Sequence, residues 1–514
     1  MTKGIPIKLE PAPAWTAILL FVVITILGII AGAGTIMRIL LPVVGFAVGL
    51  FLYRRYPVLY LGFMWWLWFL MPLVRRLIDY RSNWVNPSPV LLVAPVVTWI
   101  TVDTFLKYLP RAYKQGGLPF ILGFTSILYG FIIGLIKSTP IFAIRALIDW
   151  FTPILLGFYL FINWRDYPRY RQNIQRTFLW GVLVMGVYGL VQYVIAPEWD
   201  RFWLINARMF SMGNPEPFGI RLWSTMNSTG PFAATMMVGL LLLFNNNSPL
   251  RIPASIAGYL SFLLTLSRTM WASWFFGLAS LTSSLKPKIQ MRIIISILVM
   301  GICIVPLTTI EPFSEVIGSR LATFSDLGND HSAEVRQQIY EESLGKALSM
   351  VLGNGIGNTF TITEQGELRS LVIDSGILDM FFTLGWFGTL PYVSGLLLLV
   401  YSVFQYPEIR RDSFMSAARA IGLSNLIGLP IGSAMLGVGG CYIWGFLGLT
   451  MAAHKYHQHQ NKLSSDMESI AEVNTTKEKI YENFLINGTD RRITEVGDGK
   501  EQRKEHPDVS TTNS

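Results

Sequence analysis

The chain is poor in the residues on which most soluble chemistry depends. It holds 2 cysteines and 5 histidines in 514 residues, and only 14% of it is charged, against about 25% in a soluble domain. Cys303 and Cys441 each lie in an apolar run, so no disulfide framework exists and both read as small buried hydrophobes. No HExxH, CxxC, DxD-like or GxSxG pattern stands out, and the sequence gives no metal site to name. The period-2 alternation of an outer-membrane barrel is also missing. What is present is apolar: 52% hydrophobic residues and a mean hydropathy of +0.45. Runs long enough to cross a bilayer core of about 30 Å recur along the chain, and helices satisfy their own backbone there. The expected fold class is an all-α integral membrane protein with about 12–14 transmembrane helices.

Fourteen apolar runs fall near 15–33, 37–53, 57–74, 88–106, 118–136, 141–162, 176–196, 227–244, 252–266, 269–285, 291–308, 387–404, 413–430 and 437–453. The first has no convincing small-residue cleavage site and reads as a retained helix. The expected organisation is a polytopic membrane domain over 1–453 and a disordered polar tail over 454–514. That tail carries 9 Lys/Arg and 11 Asp/Glu. The body therefore has 32 basic against 21 acidic residues, a charge of +11. Such a body reflects the positive-inside rule and does not imply nucleic acid as a partner. With the N-terminus inside, Arg54, Arg55, Lys107, Arg111, Lys114, Arg165, Arg169, Arg171, Arg176, Lys286, Lys288, Arg292, Arg410 and Arg411 fall on one side. The other side holds fewer: Arg38, Arg75, Arg76, Arg81, Lys137 and Arg268. Both termini are then cytoplasmic, and the long polar stretch 310–373 is extracytoplasmic. A shorter loop, Glu198 to Met226, shares that face. Within the long loop, Ala333 to Leu352 has helical periodicity on one face and ends at Gly353-Asn354-Gly355-Ile356-Gly357, read as backbone punctuation.

Several residues carry both a bland and a functional reading. Asp374 opens an apolar helix as an N-cap, or it is a carboxylate placed at the membrane surface to accept a proton. Arg268, in Thr265-Leu266-Ser267-Arg268, snorkels or binds an anion. Arg221, just before Asn227 and a span, is a loop charge or a second anion ligand. Arg320 and Arg369 read as solvated charges, whereas Arg336 stands in a patterned helix. Arg145 and Arg419 lie inside spans, where charge is costly; pairing with Asp149 or Asp103 is the favoured reading. His454, His457 and His459 read as a juxtamembrane tail and not as a metal site.

Four segments together resemble the bacterial O-antigen ligase / O-antigen polymerase family, polytopic inner-membrane glycosyltransferases that use undecaprenyl-pyrophosphate-linked sugars. RLWSTMNSTGPFA from Arg221 is similar to the family's outer Arg and Asn-rich helix entry. LLTLSRTMWASW from Leu263 is similar to its Thr-x-Ser-Arg hairpin. Glu334 to Phe360 resembles its loop helix and glycine-rich stop. Asp374 to Gly388 has the spacing of its His-[Asn/Ser/Gln]-x9-Gly-x-x-Gly element, with Asp374 where the family usually has His. The resemblance implies a GT-C-like architecture with a helical periplasmic loop over an outward-facing cavity. It implies metal-independent transfer of glycan from undecaprenyl pyrophosphate to an acceptor glycan, with the lipid bilayer and other polysaccharide-export components as partners and no cofactor. It assigns Asp374, Arg268 and Arg221 to catalysis and Arg336, Asn227, Ser267 and Ser375 to substrate binding. A transporter or flippase for lipid-linked sugar or a small solute is the competing class.

The orientation is directly testable. Asp330→Cys should react with an impermeant maleimide in intact cells, and Ser464→Cys only after the membrane is opened. The reverse pattern would invert the topology.

Overall fold

The computed structural model describes residues 11–282, scattered positions between 290 and 298, 344–345, 347–358, 360–362, 368–370, 375–430, 432 and 434–493. Asp374, Arg336, the 291–308 run and most of the expected 333–352 helix lie outside the described residues. Residues 1–456 form one compact unit and 457–514 another.

The protein is a multi-pass, overwhelmingly helical membrane protein. Eight stretches among the described residues are long and apolar enough to span: Ala12–Ile30, Gly34–Arg55, Pro57–Arg81, Pro89–Gln115, Leu118–Lys137, Pro140–Ile162, Trp164–Ile195 and Gly376–Phe404. The first three are helices α1, α2 and α3. The fourth, expected as one span over 88–106, is broken into a 3-10 turn, α4 (Val93–Trp99) and α5 (Val102–Ala112). α6 (Leu118–Lys137), α7 (Pro140–Ile162) and α8 (Tyr167–Ile195) follow. α9 (Glu198–Ala207) lies within the shorter loop. Four further helices are 13 to 15 residues long: α10 (Thr229–Leu243), α11 (Arg251–Leu263), α12 (Arg268–Thr282) and, after α13 (Gly376–Phe404), α14 (Ser413–Ile427). At ~1.5 Å per residue these four reach only about 20–23 Å, short of a full core.

The expected all-α class agrees with this architecture; one short hairpin departs from helix, where β1 (Phe360–Ile362) and β2 (Leu368–Ser370) pair antiparallel with Phe360 opposite Ser370. α15 (Phe446–Ile493) covers the first part of the stretch read as a polar tail. Low aromatic content says that such a segment buries little. It does not say that the segment avoids helix, and Lys, Gln, Glu, Met and Ala are good helix formers.

Lipid is as apolar as leucine, so helices in a membrane associate by close packing and polar contacts. Small residues sit at the crossings accordingly. Gly157 of α7 lies against the Trp444 carbonyl, and Gly448 lies against Gly157. Gly186 of α8 lies against the Ala257 backbone of α11. Large aromatics fill what remains: Trp65 stacks on Tyr442 at 5.5 Å, and Trp444 donates Nε1–H to the Tyr392 hydroxyl at 3.0 Å.

The most consequential local feature is a break in α13 at Gly385, which has φ 60° and ψ −168°. Gly376 to Leu384 form the first half, so the nine-residue spacer of the Asp-Ser-x9-Gly element is one half-helix. A break frees backbone groups, and in an apolar body they need partners. Residues 351–356 supply them. Trp386 N–H donates to Val351 O at 2.9 Å. Asn354 and Gly355 N–H donate to Phe382 O at 2.9 Å and Thr383 O at 2.8 Å. Ile356 N–H donates to Gly130 O of α6 at 3.0 Å, and Lys137 Nζ donates to Gly353 O at 2.7 Å. The glycine run therefore does more than stop a helix. It is an extended plug wedged between α6, α7 and the broken α13. Side chains cannot fit there: a Cβ on Gly355, at φ 81°, would overlap the Gly134 backbone, and one on Gly385 would overlap Gly353.

Gly355→Ala should destabilise the protein by about 2–5 kcal/mol, combining a left-handed backbone penalty with overpacking. Gly345→Ala, where a Cβ meets open space, should change little. Unfolding of both variants in detergent checks this; equal stabilities would remove the plug from the account.

Candidate functional site

A cavity of about 460 Å³ is lined by α3, the turn before α4 and the start of that helix, the first half of α7, the entry to α10, Met270 of α12 and residues after α14 from Gly432 to Gly439. The entry to α10 contributes Met226, Asn227, Gly230 and Pro231, and the segment leading into it starts at Arg221. That segment is fixed from below by a buried ion pair: Arg76 Nη1 lies 2.6 Å from Asp200 Oδ1, both side chains fully buried. Asp200 also accepts from Tyr188 and from Gln192 Nε2, each at 2.8 Å. Arg76 Nη2 donates to Ser224 O, and Gln192 Oε1 accepts from the Trp223 and Ser224 amides at 3.2 and 2.8 Å. Thr225 Oγ1 donates to Phe69 O at 2.6 Å. The sequence placed Arg76 among outer-loop charges. It is instead the central bolt of a packed charge network, a role that only tertiary proximity across 124 residues reveals.

Arg221 joins this segment to the next element. Its guanidinium donates to Ser211 O at 2.9 Å, Thr265 O at 3.3 Å and Leu266 O at 3.2 Å. Leu222 N–H donates to Leu264 O at 3.3 Å. Arg221 thus grips the carbonyls of the turn that carries Ser267 and Arg268. Leu266 in that turn adopts φ 52°, a conformation L-residues rarely take. Arg268 is the first residue of α12. A cation there opposes the positive end of the helix dipole, so the position does not serve helix stability.

The third element is the 428–430 turn. A Cβ on Gly428 would stand 3.5 Å from Ser273 Oγ and 3.9 Å from Met270 of α12. The same turn meets the start of α13, because Gly376 N–H donates to Leu429 O at 2.8 Å. Ser375 is the N-cap there, its Oγ accepting from Leu378 N–H at 3.4 Å. The capping role considered for Asp374 therefore belongs to its neighbour. Arg221 thus bonds to the turn before Ser267 and Arg268, Ser375 caps α13 next to the Gly376–Leu429 bond, and Asn227 lines the cavity, whose lining does not include the other four. Asp374 and Arg336 are outside the described residues.

The cavity is lined mostly by apolar side chains such as Leu67, Met71, Met226 and Met270, beside the Trp68 ring. Its polar lining is Asn227, Arg145 and Asp149. Asn227 Oδ1 and Arg145 Nε are buried and accept or donate no hydrogen bond among the described residues. Arg145 and Asp149 lie one turn apart on α7, the spacing at which oppositely charged side chains usually meet. Yet no salt bridge closes between them among the described residues. The expectation of a structural Arg145–Asp149 pair is not met. Arg419 does not reach Asp103 or Asp149; it donates to Ser280 O at 3.4 Å and lies over the Phe404 ring. Asp103 accepts from the Tyr53 hydroxyl at 3.1 Å. Sequence reasoning missed Arg145 and Asp149 as cavity residues. The available signal was intramembrane charge itself, which marks function by default.

The architecture and this lining define a multi-pass membrane protein with an apolar, polar-tipped vault. Neither a protein-family model nor a curated protein sequence matches the chain.

Asp200→Asn should destabilise the protein by about 3–5 kcal/mol, because it strands the Arg76 charge in a dry site. Arg76→Met combined with Asp200→Leu should cost less than Asp200→Asn alone. Denaturation midpoints of the three proteins decide; a double variant worse than the single one would refute the network's charge logic.

Proposed function

We propose that the protein transfers glycan from a lipid-linked pyrophosphate, of the undecaprenyl type, to an acceptor glycan at the outer face of a bacterial inner membrane. An O-antigen or exopolysaccharide polymerase is favoured over a ligase, because the position that usually carries His is Asp374. What supports the reading is that the guanidinium of Arg221 holds the carbonyls of the turn that leads into Ser267 and Arg268, 44 residues away in sequence.

In this reading Arg268 neutralises the pyrophosphate leaving group. Arg221 holds the turn that aims it, with a guanidinium already committed to three carbonyls. The acceptor hydroxyl attacks the anomeric carbon, the bond to phosphate oxygen breaks, and the proton passes to Asp374. One displacement inverts the anomeric centre. Fixed donors near developing charge in a water-poor site supply the main rate enhancement. Arg336 contacts sugar or phosphate from the long loop, and the pyrophosphate needs no metal where cations already balance its charge. The architecture expected from the resemblance is GT-C-like.

A transporter or flippase is the second reading, favoured by one observation. α13 is discontinuous at Gly385, and broken helices are common at transport sites. Against it, the amide of Trp386 and the carbonyls of Phe382 and Thr383 at that break are bonded to residues 351–355.

The test uses purified protein in vesicles with undecaprenyl-pyrophosphate-linked oligosaccharide, following glycan length on gels. Arg268→Ala should slow elongation by about 10²–10³-fold, the cost of losing one transition-state donor. Asp374→Asn should also slow it, and Arg221→Ala should lower both rate and stability. Wild-type elongation by Arg268→Ala and Asp374→Asn would sink the mechanism. Solute uptake without a glycan product would favour transport.

A further inference from the structure

The vault beneath Trp68 is not explained by pyrophosphate chemistry. Its polar tip presents a guanidinium, a carboxylate and an amide: Arg145, Asp149 and Asn227. None of the three is used by the donor site described above except Asn227, which reaches this wall from the entry to α10. Three kinds of occupant can be weighed against that set.

A phosphate suits Arg145 but not its neighbour. A carboxylate one helical turn away repels an anion in a setting where charges are weakly screened. A hydrocarbon chain suits the apolar walls but would leave Asn227 Oδ1 and Arg145 Nε, already without partners, permanently dry. Burying unpaired polar groups costs several kcal/mol, and charges more. A neutral sugar ring satisfies both demands. Each hydroxyl is a donor and an acceptor, so it accepts from Arg145 and donates to Asp149 or Asn227. The C–H faces of the ring pack on Trp68 and the aliphatic wall. The volume of about 460 Å³ lies within the ~300–1,000 Å³ range of small-molecule sites. A bridging hydroxyl also explains why the Arg145–Asp149 pair stays open, since a closed pair would occupy the groups the ligand needs.

We infer that this vault is a subsite for a neutral, hydroxyl-bearing sugar ring, with Arg145, Asp149 and Asn227 holding its hydroxyls and Trp68 its apolar face. The inference rests on the glycosyl-transfer reading for its physiological occupant, the acceptor glycan. It separates the two substrates by charge: the anionic donor group at Arg268, the neutral ring at Asp149.

The experiment is equilibrium binding to the full chain in nanodiscs. The probes are a panel of neutral disaccharides and, separately, inorganic pyrophosphate. At least one disaccharide should bind the wild type. Asp149→Leu and Arg145→Met should weaken that binding at least tenfold, and the shape-preserving Asp149→Asn should weaken it less than Asp149→Leu. Gly230→Phe should weaken it, because Gly230 lines the vault and a Cβ there meets nothing within 4 Å, so the added bulk is accommodated without displacing backbone. Pyrophosphate affinity should change less than twofold in all four, while Arg268→Ala weakens pyrophosphate alone. The inference is overturned if no disaccharide binds the wild type, if Gly230→Phe and Asp149→Asn bind sugar as the wild type does, or if pyrophosphate displaces the sugar and loses affinity with Arg145→Met. Sugar binding that depends on Asp149 in a protein showing no glycosyl transfer would keep the subsite and remove the transfer reading. Transfer without sugar binding in the vault would do the opposite.

Discussion

Every polar group that this chain carries into its apolar body must find a partner inside the chain. No water waits in a bilayer core to complete an unfinished hydrogen bond. That constraint decides the two most elaborate parts of the structure. At Gly385 the helix breaks, and residues 351–356 close over the freed amide and carbonyls. At Arg76 a buried guanidinium draws Asp200 into the core, and Asp200 in turn collects Tyr188 and Gln192. Both solutions join segments remote in sequence, so each works as a staple across the bundle as well as a local repair.

The same rule gives meaning to its exceptions. Where partners are supplied so thoroughly, an open Arg145–Asp149 pair beside an unsatisfied Asn227 Oδ1 stands out. Local geometry does not force it, because one-turn spacing on α7 favours closure. The contrast with Arg38, Asp79 and Arg75 is instructive. There the same residue types bond at 2.9 and 3.1 Å, and Asn83 completes the set at 3.0 Å from Arg38. Asp79 and Asp200 are each paired to a guanidinium, whereas Arg145 and Asp149 form no salt bridge among the described residues.

Much of the fold was legible in the sequence, because a membrane span is written in one dimension. Runs of apolar residues mark α6 and α7 to within one residue, and they mark the existence of α1, α2 and α3 with ends two to seven residues off at all but one terminus. The sequence failed where structure depends on what lies across the bundle. Gly353–Gly357 has the composition of a helix stop, and only its neighbours Gly134 and Gly385 make it a plug. Arg76 and Arg75 are adjacent and look alike, yet one meets Asp200 and the other Asp79. For the 454–493 segment, composition reports burial better than helicity. For the site, the family resemblance singled out Arg221, Ser267, Arg268 and Ser375. What a motif could not supply was the local bonding: Arg221 grips the Thr265 and Leu266 carbonyls, while Asn227, six residues on, lines the cavity.

The N-cap of α13 bears on Asp374, the residue that precedes it in the chain. A carboxylate at the head of an apolar helix is ordinarily explained by capping. Here Ser375 fills that role, accepting from Leu378 N–H, and Asp379 in the first turn already supplies a negative charge near the helix dipole. The helix therefore has its cap and its charge without Asp374. An ionisable residue beside a membrane-embedded helix is costly to keep, and no structural requirement of α13 asks for one at this position. The same reasoning applies to Arg268, which stands at the end of α12 where helix electrostatics disfavour a cation.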